Sequence, residues 1–280
     1  EIFNNFNPDL IILGHADSIK LETLRSLKIR KNNLKISQWF LDPLSRKGPD
    51  YQNNKKRILD KIEIIDSTFL TSDPKSLDFK IKNSYFIPNP ADKSFEILNN
   101  SKKNPKNDVF FAMSHGVHRG NLKSGKYDDR EKILKKLLRV KDIKFDFYGI
   151  NNIQPVWGDN FLKKISLSKI GLNLSRGKPL KYYSSDRIAQ YMANGLMTLI
   201  HEDTKYSDFF NKNEIVTYKN LKDLINKIKY YIKNDKRRKI IANNGRNKYL
   251  KEFNSEKVSK FIILKTFNIK SKDRFMWVKN

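Results

Sequence analysis

Two groups of residues have the types and spacing to do chemistry. The first is Arg176, Lys178 and Lys181, set in the stretch SRGKPLKYY and followed at once by Ser184, Ser185, Asp186 and Arg187. Gly177 and Pro179 make that stretch a loop, and the Ser-Ser-Asp run supplies helix N-cap residues. A helix start presents unpaired N–H groups and a partial positive charge. With an arginine and lysines beside it, such a place suits a phosphate or diphosphate. The bland alternative is a solvated loop that happens to carry lysines. The second group is His15, after the apolar run PDLIILG, and Asp42, after KISQWFL. An imidazole or a carboxylate at a strand end can take the proton of an attacking hydroxyl. The imidazole, with an ordinary pKa near 6.5, is the preferred base at neutral pH. Asp42 also has a plain role as the start of an Asp-Pro turn. A third stretch, SHGVHRGNLKSGKYDDR, sets Gly116, Gly120 and Gly125 among Arg119 and further cations. Glycines after a strand can cradle phosphate. His115 and His118 lack a third His or Cys nearby, so no metal is expected.

These residues need particular elements to position them. KIGLNLS alternates apolar and polar and reads as a strand. Ile188, Tyr191 and Met192 recur at helical spacing, Gly195 fits the helix end, and LMTLIH resumes an extended run. Earlier, PDLIILGHAD, KISQWFLDPL, STFLTSD and SYFIPNP read as strands, with KLETLRSLKIRK and NNKKRILDKIEI as helices between the first three. Strands alternating with helices imply βαβ units and a parallel sheet. In open α/β sheets ligands sit just past the carboxyl ends of the strands, where both loops would lie. The polar stretch 99–107 reads as a linker. The expected division is a first domain at 1–98, a second at 108–254, and a C-terminal segment at 255–280. The first domain reads as cut short at its N-terminus.

The segment Ser185-Asp186-Arg187-Ile188-Ala189-Gln190-Tyr191-Met192-Ala193-Asn194-Gly195 resembles the donor-binding motif S-x-R-x-F-E-x-x-A-x-G of group-1 glycosyltransferases. The branch it is most similar to comprises the spore-maturation-type and surface-polysaccharide transferases. Ser185, Arg187, Ala193 and Gly195 match, while the family's ribose-binding acid falls at Gln190, an amide without charge. The resemblance implies the GT-B fold, an α/β architecture of two Rossmann-like domains facing a cleft, the last helix crossing back to the first domain. It implies transfer of a sugar, of hexosyl type, from a nucleotide-sugar donor to a hydroxyl of a glycan or lipid-linked acceptor. It places Gly116 at the glycine turn of the donor domain, Tyr148 and Gly149 beside the nucleotide base, and His15 in the cleft near the acceptor. The donor-binding set is then Gly116, Arg119, Tyr148, Gly149, Arg176, Lys178, Ser185, Asp186, Arg187 and Gln190. His15 and Asp42 are the catalytic candidates.

Composition bounds the alternatives. The 280 residues suffice for two domains, and 38% hydrophobic content supports packed cores. There is no cysteine, which excludes disulfides and suits a reducing cytoplasm. Net charge is +27, which raises nucleic acid, an anionic membrane or an anionic substrate as partners. The lysines are dispersed, so compositional bias is preferred and no nucleic acid is expected. A cytoplasmic enzyme with peripheral contact to an anionic membrane remains compatible. The alternatives kept are a basic nucleic-acid-binding protein and a degenerate GT-B domain that binds without turnover. No Asp-x-Asp, P-loop, G-x-G-x-x-G or G-x-S-x-G pattern occurs. Metal-dependent diphosphate binding therefore has no support, and no cofactor beyond the nucleotide-sugar substrate is expected.

Overall fold

The structure, a computed structural model, describes residues 1–278 except 47, 49, 115–116, 119–120, 123–128 and 152. It divides into two units. The first comprises Glu1–Pro88, Leu180–Tyr183 and Ser255–Asn280, and the second Asn89–Pro179 and Ser184–Asn254.

The first unit begins with α1 (Ile2–Phe6), β1 (Leu10–Gly14), α2 (Leu21–Arg30), β2 (Lys35–Phe40), α3 (Tyr51–Leu59), β3 (Ser67–Leu70) and β4 (Ser84–Phe86). Its four strands lie side by side in sequence order, all parallel. Gly14 pairs opposite Trp39, so His15 and Asp42 leave the sheet at the same carboxyl edge.

The second unit holds β5 (Asn107–Ala112), a short antiparallel ladder of β6 (Val117–His118) and β7 (Asn121–Leu122), α4 (Asp129–Leu137), β8 (Phe145–Tyr148), α5 (Gly158–Ile165) and β9 (Ser168–Asn173). Then come α6 (Arg187–Ala193), β10 (Met197–His201), β11 (Val216–Tyr218), α7 (Leu221–Lys233) and α8 (Asp235–Glu252). The helix α9 (Ser255–Thr266) returns to the first unit, where Phe261 packs edge-on against Phe69 and Tyr85. The large sheet of the second unit is parallel, in the order β8-β5-β9-β10-β11. From β5 the chain goes outward to β8, then crosses to β9 on the other side. The reversal between β5 and β9 is the topological switch point, where open α/β sheets take their ligands.

Alternation along β5 sends its side chains to two cores, which is why the run DVFFAM is almost continuously apolar. Val109 and Phe111 join Leu134 and Leu137 of α4 and Leu224 and Ile228 of α7. Phe110 and Ala112 face Ile165 of α5 and Tyr191 of α6. Gly171 in β9 also faces α6, and a Cβ there would lie 2.5 Å from the Tyr191 ring. The missing side chain lets α6 sit close on the sheet.

Residues 99–107 are not a free connector. The buried Asn100 side chain donates to the carbonyls of Ile165 (2.7 Å) and Ser168 (2.9 Å), and Asn107 opens β5. The division falls earlier, at Pro88 and Asn89. Asn89 is tied into the second unit by its side-chain bond to the Ser184 carbonyl (3.1 Å) and by Tyr249 Oη, which donates to its carbonyl (2.7 Å). Polar composition alone suggested a linker, whereas here Asn100 satisfies buried backbone while Lys102, Lys103, Asn104 and Lys106 stay exposed.

Replacing Gly171 with Ala pushes a methyl group into the Tyr191 ring. Overpacking of this kind costs about 1–3 kcal/mol. Urea denaturation of the Gly171→Ala variant is expected to show that loss, and an unchanged midpoint would mean that α6 does not depend on this close approach.

Candidate functional site

In the second unit, strand register brings Ala112, Tyr148, Asn173, His201 and Tyr218 to one carboxyl edge. Arg187, the first residue of α6, reaches into the switch point. Its Nη1 donates to the Ala112 carbonyl at 3.2 Å and its Nη2 to the Leu174 carbonyl at 2.7 Å. Its guanidinium lies 5.0 Å from the centroid of the Phe111 ring. The residue is only 9% exposed. A buried cation therefore ties the end of β5 to the residue just past β9 and sets positive charge at the crevice between them.

The helix start itself differs from expectation. Asp186 is the N-cap, and its carboxylate accepts from the Arg187 N–H at 3.0 Å. That N–H was expected to meet phosphate, and a side-chain anion already holds it. Ser185 Oγ sits 3.4 Å from Asn173 Oδ1, so it points back to the end of β9. Lys178 is exposed on the loop, Arg176 is half-buried, and Gln190 is half-buried on α6. The loop is shared out between the units. Leu180–Tyr183 belong to the first, where Lys181 pairs with Asp73 at 2.8 Å. Lys181 is thus held by a carboxylate and leaves the phosphate-binding set.

Tyr148 is engaged by its own protein. Its ring packs on Phe110 at 5.8 Å, and Lys164 Nζ lies 5.4 Å from its centroid. Burial first, then a hydrogen bond to Asp146, push its hydroxyl pKa up. The ring is thus partly packed, against Phe110 and α5. Gly149 is required by geometry, with φ +77° and the Met113 carbonyl only 1.8 Å from where a Cβ would be. Gly116 and Arg119 lie outside the described residues, as does His115. Beside the switch point, a cavity of about 210 Å³ opens between the starts of α4 and α7, with Asn173, Ser175, Gly177, His201, Tyr218 and Asn220 on its walls. Among the described residues no group of three His, Cys, Asp or Glu could hold a metal. Nor is any helix among them long and apolar enough to cross a membrane.

In the first unit, His15 and Asp42 do come together, with His15 Nε2 3.8 Å from Asp42 Oδ2. Between them stands a residue that sequence reasoning passed over. Arg57, on α3, donates through Nη1 to Asp42 Oδ2 (3.1 Å) and through Nε to Asp17 Oδ1 (3.0 Å), and its Nη2 is 2.6 Å from His15 Nδ1. Arg57 sits in the run NNKKRILDKIEI, one cation among several, and no local pattern marks it. The hydrogen bond from Arg57 holds the Asp17 carboxyl below its ordinary 3.8, partly opposed by burial.

Two parallel α/β units, the second with its ligand crevice at a switch point, define the GT-B class of architecture. Residues 130–263 match the model of the family described as glycosyl transferase-like. That match spans the greater part of the second unit. No curated protein matches the sequence. Among solved structures it is similar to Anabaena Alr3699/HepE in complex with UDP and glucose, at 11% identity and TM-score 0.64, covering 96% of this chain and 80% of that one. It is similar to sucrose-phosphate synthase from Thermosynechococcus elongatus at 11% identity and TM-score 0.57, covering 96% and 76%. It is also similar to an S. aureus TarM mutant in complex with Fondaparinux, alpha-GlcNAc-glycerol and UDP, at 14% identity and TM-score 0.60, covering 94% of this chain but 57% of that one.

Two outcomes follow from this geometry. Arg187→Met leaves the carbonyls of Ala112 and Leu174 without their guanidinium donors. At about 1–3 kcal/mol for each orphaned group, the loss should be at least about 2 kcal/mol in urea denaturation, and no loss would contradict the tie between β5 and β9. The Asp17 carboxyl has a depressed folded-state pKa, so its contribution is present above its unfolded value and is lost as pH falls through the folded one. Carbon-13 titration should find Asp17 still ionised at pH 3.8 and the Arg57 contact weakening only below that. An ordinary titration would show that the pair does not persist.

Proposed function

We propose that the protein transfers a sugar, of hexosyl type, from a nucleotide-sugar donor to a hydroxyl of a glycan or lipid-linked acceptor. The observation that carries this reading is the buried Arg187 at the switch point of a unit whose sequence matches a glycosyl transferase-like family. The relatives in complex with UDP support the same class of donor. Cations fixed at a strand edge can stabilise a leaving diphosphate in place of a metal, because they need no reorganisation as its charge develops. Arg176 and Lys178 are proposed to contact the phosphates from the β9–α6 loop, and Arg187 to supply a fixed positive field at the switch point. Ser185, Asp186 and Gln190 are proposed for the donor's hydroxyls, with Asp186 better suited to a hydroxyl than to a phosphate because it is an acceptor when ionised. Gly149 is proposed to let the loop past β8 approach the base, and Gly116 and Arg119 to complete the phosphate contacts. The acceptor side is assigned to His15 and Asp42. A donor-binding domain without turnover is the second reading, favoured by the uncharged Gln190 where the family has an acid.

The reaction is placed on the cytoplasmic side, with peripheral contact to an anionic leaflet. Exposed Ile269, Met276 and Val278 beside Lys270, Lys272 and Arg274 support such a contact, since each cation near an anionic surface contributes about 1 kcal/mol.

A thermal-shift panel of nucleoside diphosphates and nucleotide sugars tests donor binding, because a ligand of the folded state raises its apparent stability. At least one diphosphate should raise the midpoint. Replacing Arg176 or Lys178 with Ala should then weaken that ligand by about 1.5–3 kcal/mol in calorimetry, as expected for a charge-assisted hydrogen bond. A panel without any shift would contradict the reading. Binding without release of nucleoside diphosphate, in the presence of any acceptor tried, would favour the second.

A further inference from the structure

The environment of His15 fixes more than its position. The residue follows β1 in the left-handed region, with φ 48°. Its ring lies parallel on Phe40, with centroids 5.3 Å apart and planes within 10°. The guanidinium carbon of Arg57 is 5.7 Å from the centroid of the same Phe40 ring. Stacking limits rotation of the imidazole, and the Asp17 and Asp42 carboxylates hold Arg57 by Nε and Nη1. Asp17 Oδ2 also lies 2.7 Å from Nη2, which takes one of that nitrogen's two hydrogens and leaves the other for His15 Nδ1, 2.6 Å away.

A guanidinium has only donors, so Nδ1 must accept through its lone pair. A neutral imidazole accepts at one nitrogen and carries its proton on the other. The proton therefore resides on Nε2. That atom is 3.8 Å from Asp42 Oδ2, beyond hydrogen-bonding distance, so Asp42 does not saturate it. The lone pair a base would use is engaged, and an N–H is what the ring offers.

We propose that Arg57 is a positioning residue that fixes His15 as its Nε2–H tautomer, so that His15 acts as a hydrogen-bond donor to a substrate oxygen and not as the base. The substrate part of this inference rests on the glycosyl-transfer reading, and the tautomer part does not. A hydroxyl or phosphate oxygen on the open side of Nε2 would complete the site, with the Asp42 carboxylate beside it.

Long-range proton–nitrogen NMR of the histidine-labelled chain, recorded at about pH 9, well above the ordinary imidazole titration, reads the tautomer with no substrate present. The His15 ring should show an unprotonated Nδ1 and a protonated Nε2. Arg57→Met should give a mixture of tautomers, and Arg57→Lys, which keeps one donor, should restore part of the preference. A proton on Nδ1 in the wild type, or a ring unchanged in Arg57→Met, overturns the assignment. With a transfer assay, His15→Gln keeps an N–H donor and should stay within about tenfold of the wild type, whereas loss of a general base costs about a hundredfold or more. A His15→Gln variant as impaired as His15→Ala would make His15 the base and overturn the donor role. Arg57→Met should lower kcat/KM by up to about a hundredfold, the order of cost when a reacting group is left misplaced by an ångström. Unchanged kcat/KM would mean that the tautomer has no part in the reaction.

Discussion

The second unit depends on one interaction, the guanidinium of Arg187 held between the carbonyls of Ala112 and Leu174. At a switch point the chains leaving two neighbouring parallel strands turn to opposite faces of the sheet, which opens a crevice and leaves backbone acceptors facing it. An arginine can satisfy two such acceptors with one planar group and stay charged while doing so. The same atoms therefore close the ends of β5 and β9 and place a positive charge where an anionic ligand would lie. The glycine at 171 belongs to the same arrangement, because it allows Tyr191, one turn along α6, to lie flat against β9 and so fixes where the helix begins.

The first unit is arranged in a parallel way around a second arginine. Arg57 does not join strands, but it gathers His15, Asp17 and Asp42 from the loops that leave β1 and β2. In both units a cation is fixed by protein acceptors before any substrate arrives. Such preorganisation suits electrostatic stabilisation, because the cost of orienting the charge is met during folding. It also explains the division of labour among the cations of the β9–α6 loop. Lys178 stays exposed, while Lys181, three residues on, is held by Asp73 in the first unit.

Much of the fold was legible in the sequence. The runs PDLIILGHAD, KISQWFLDPL and KIGLNLS marked β1, β2 and β9, and Ser-Ser-Asp followed by Ile188, Tyr191 and Met192 marked the start of α6. These signals are local, and they follow from burial and capping. Several features were not legible. The polar stretch 99–107 looked like a linker because composition does not reveal that Asn100 would satisfy the carbonyls of Ile165 and Ser168. Nothing local shows that Phe110 and Lys164 lie beside Tyr148. Arg57 was lost among other basic residues, since its meaning comes from side chains 15 to 42 positions away. Asp186 was recognised as a cap, but its occupation of the Arg187 N–H became apparent only with the backbone in place.

The switch point between β5 and β9 is proposed to receive the diphosphate of a nucleotide donor. Backbone amide NMR of the full chain, titrated with the nucleoside diphosphate that stabilises it most, tests this directly. The largest shifts are expected at Ala112 and Met113, at residues 174–178, and at Ser185 to Gln190. Shifts confined to other parts of the chain, with these amides unmoved at saturation, would contradict it.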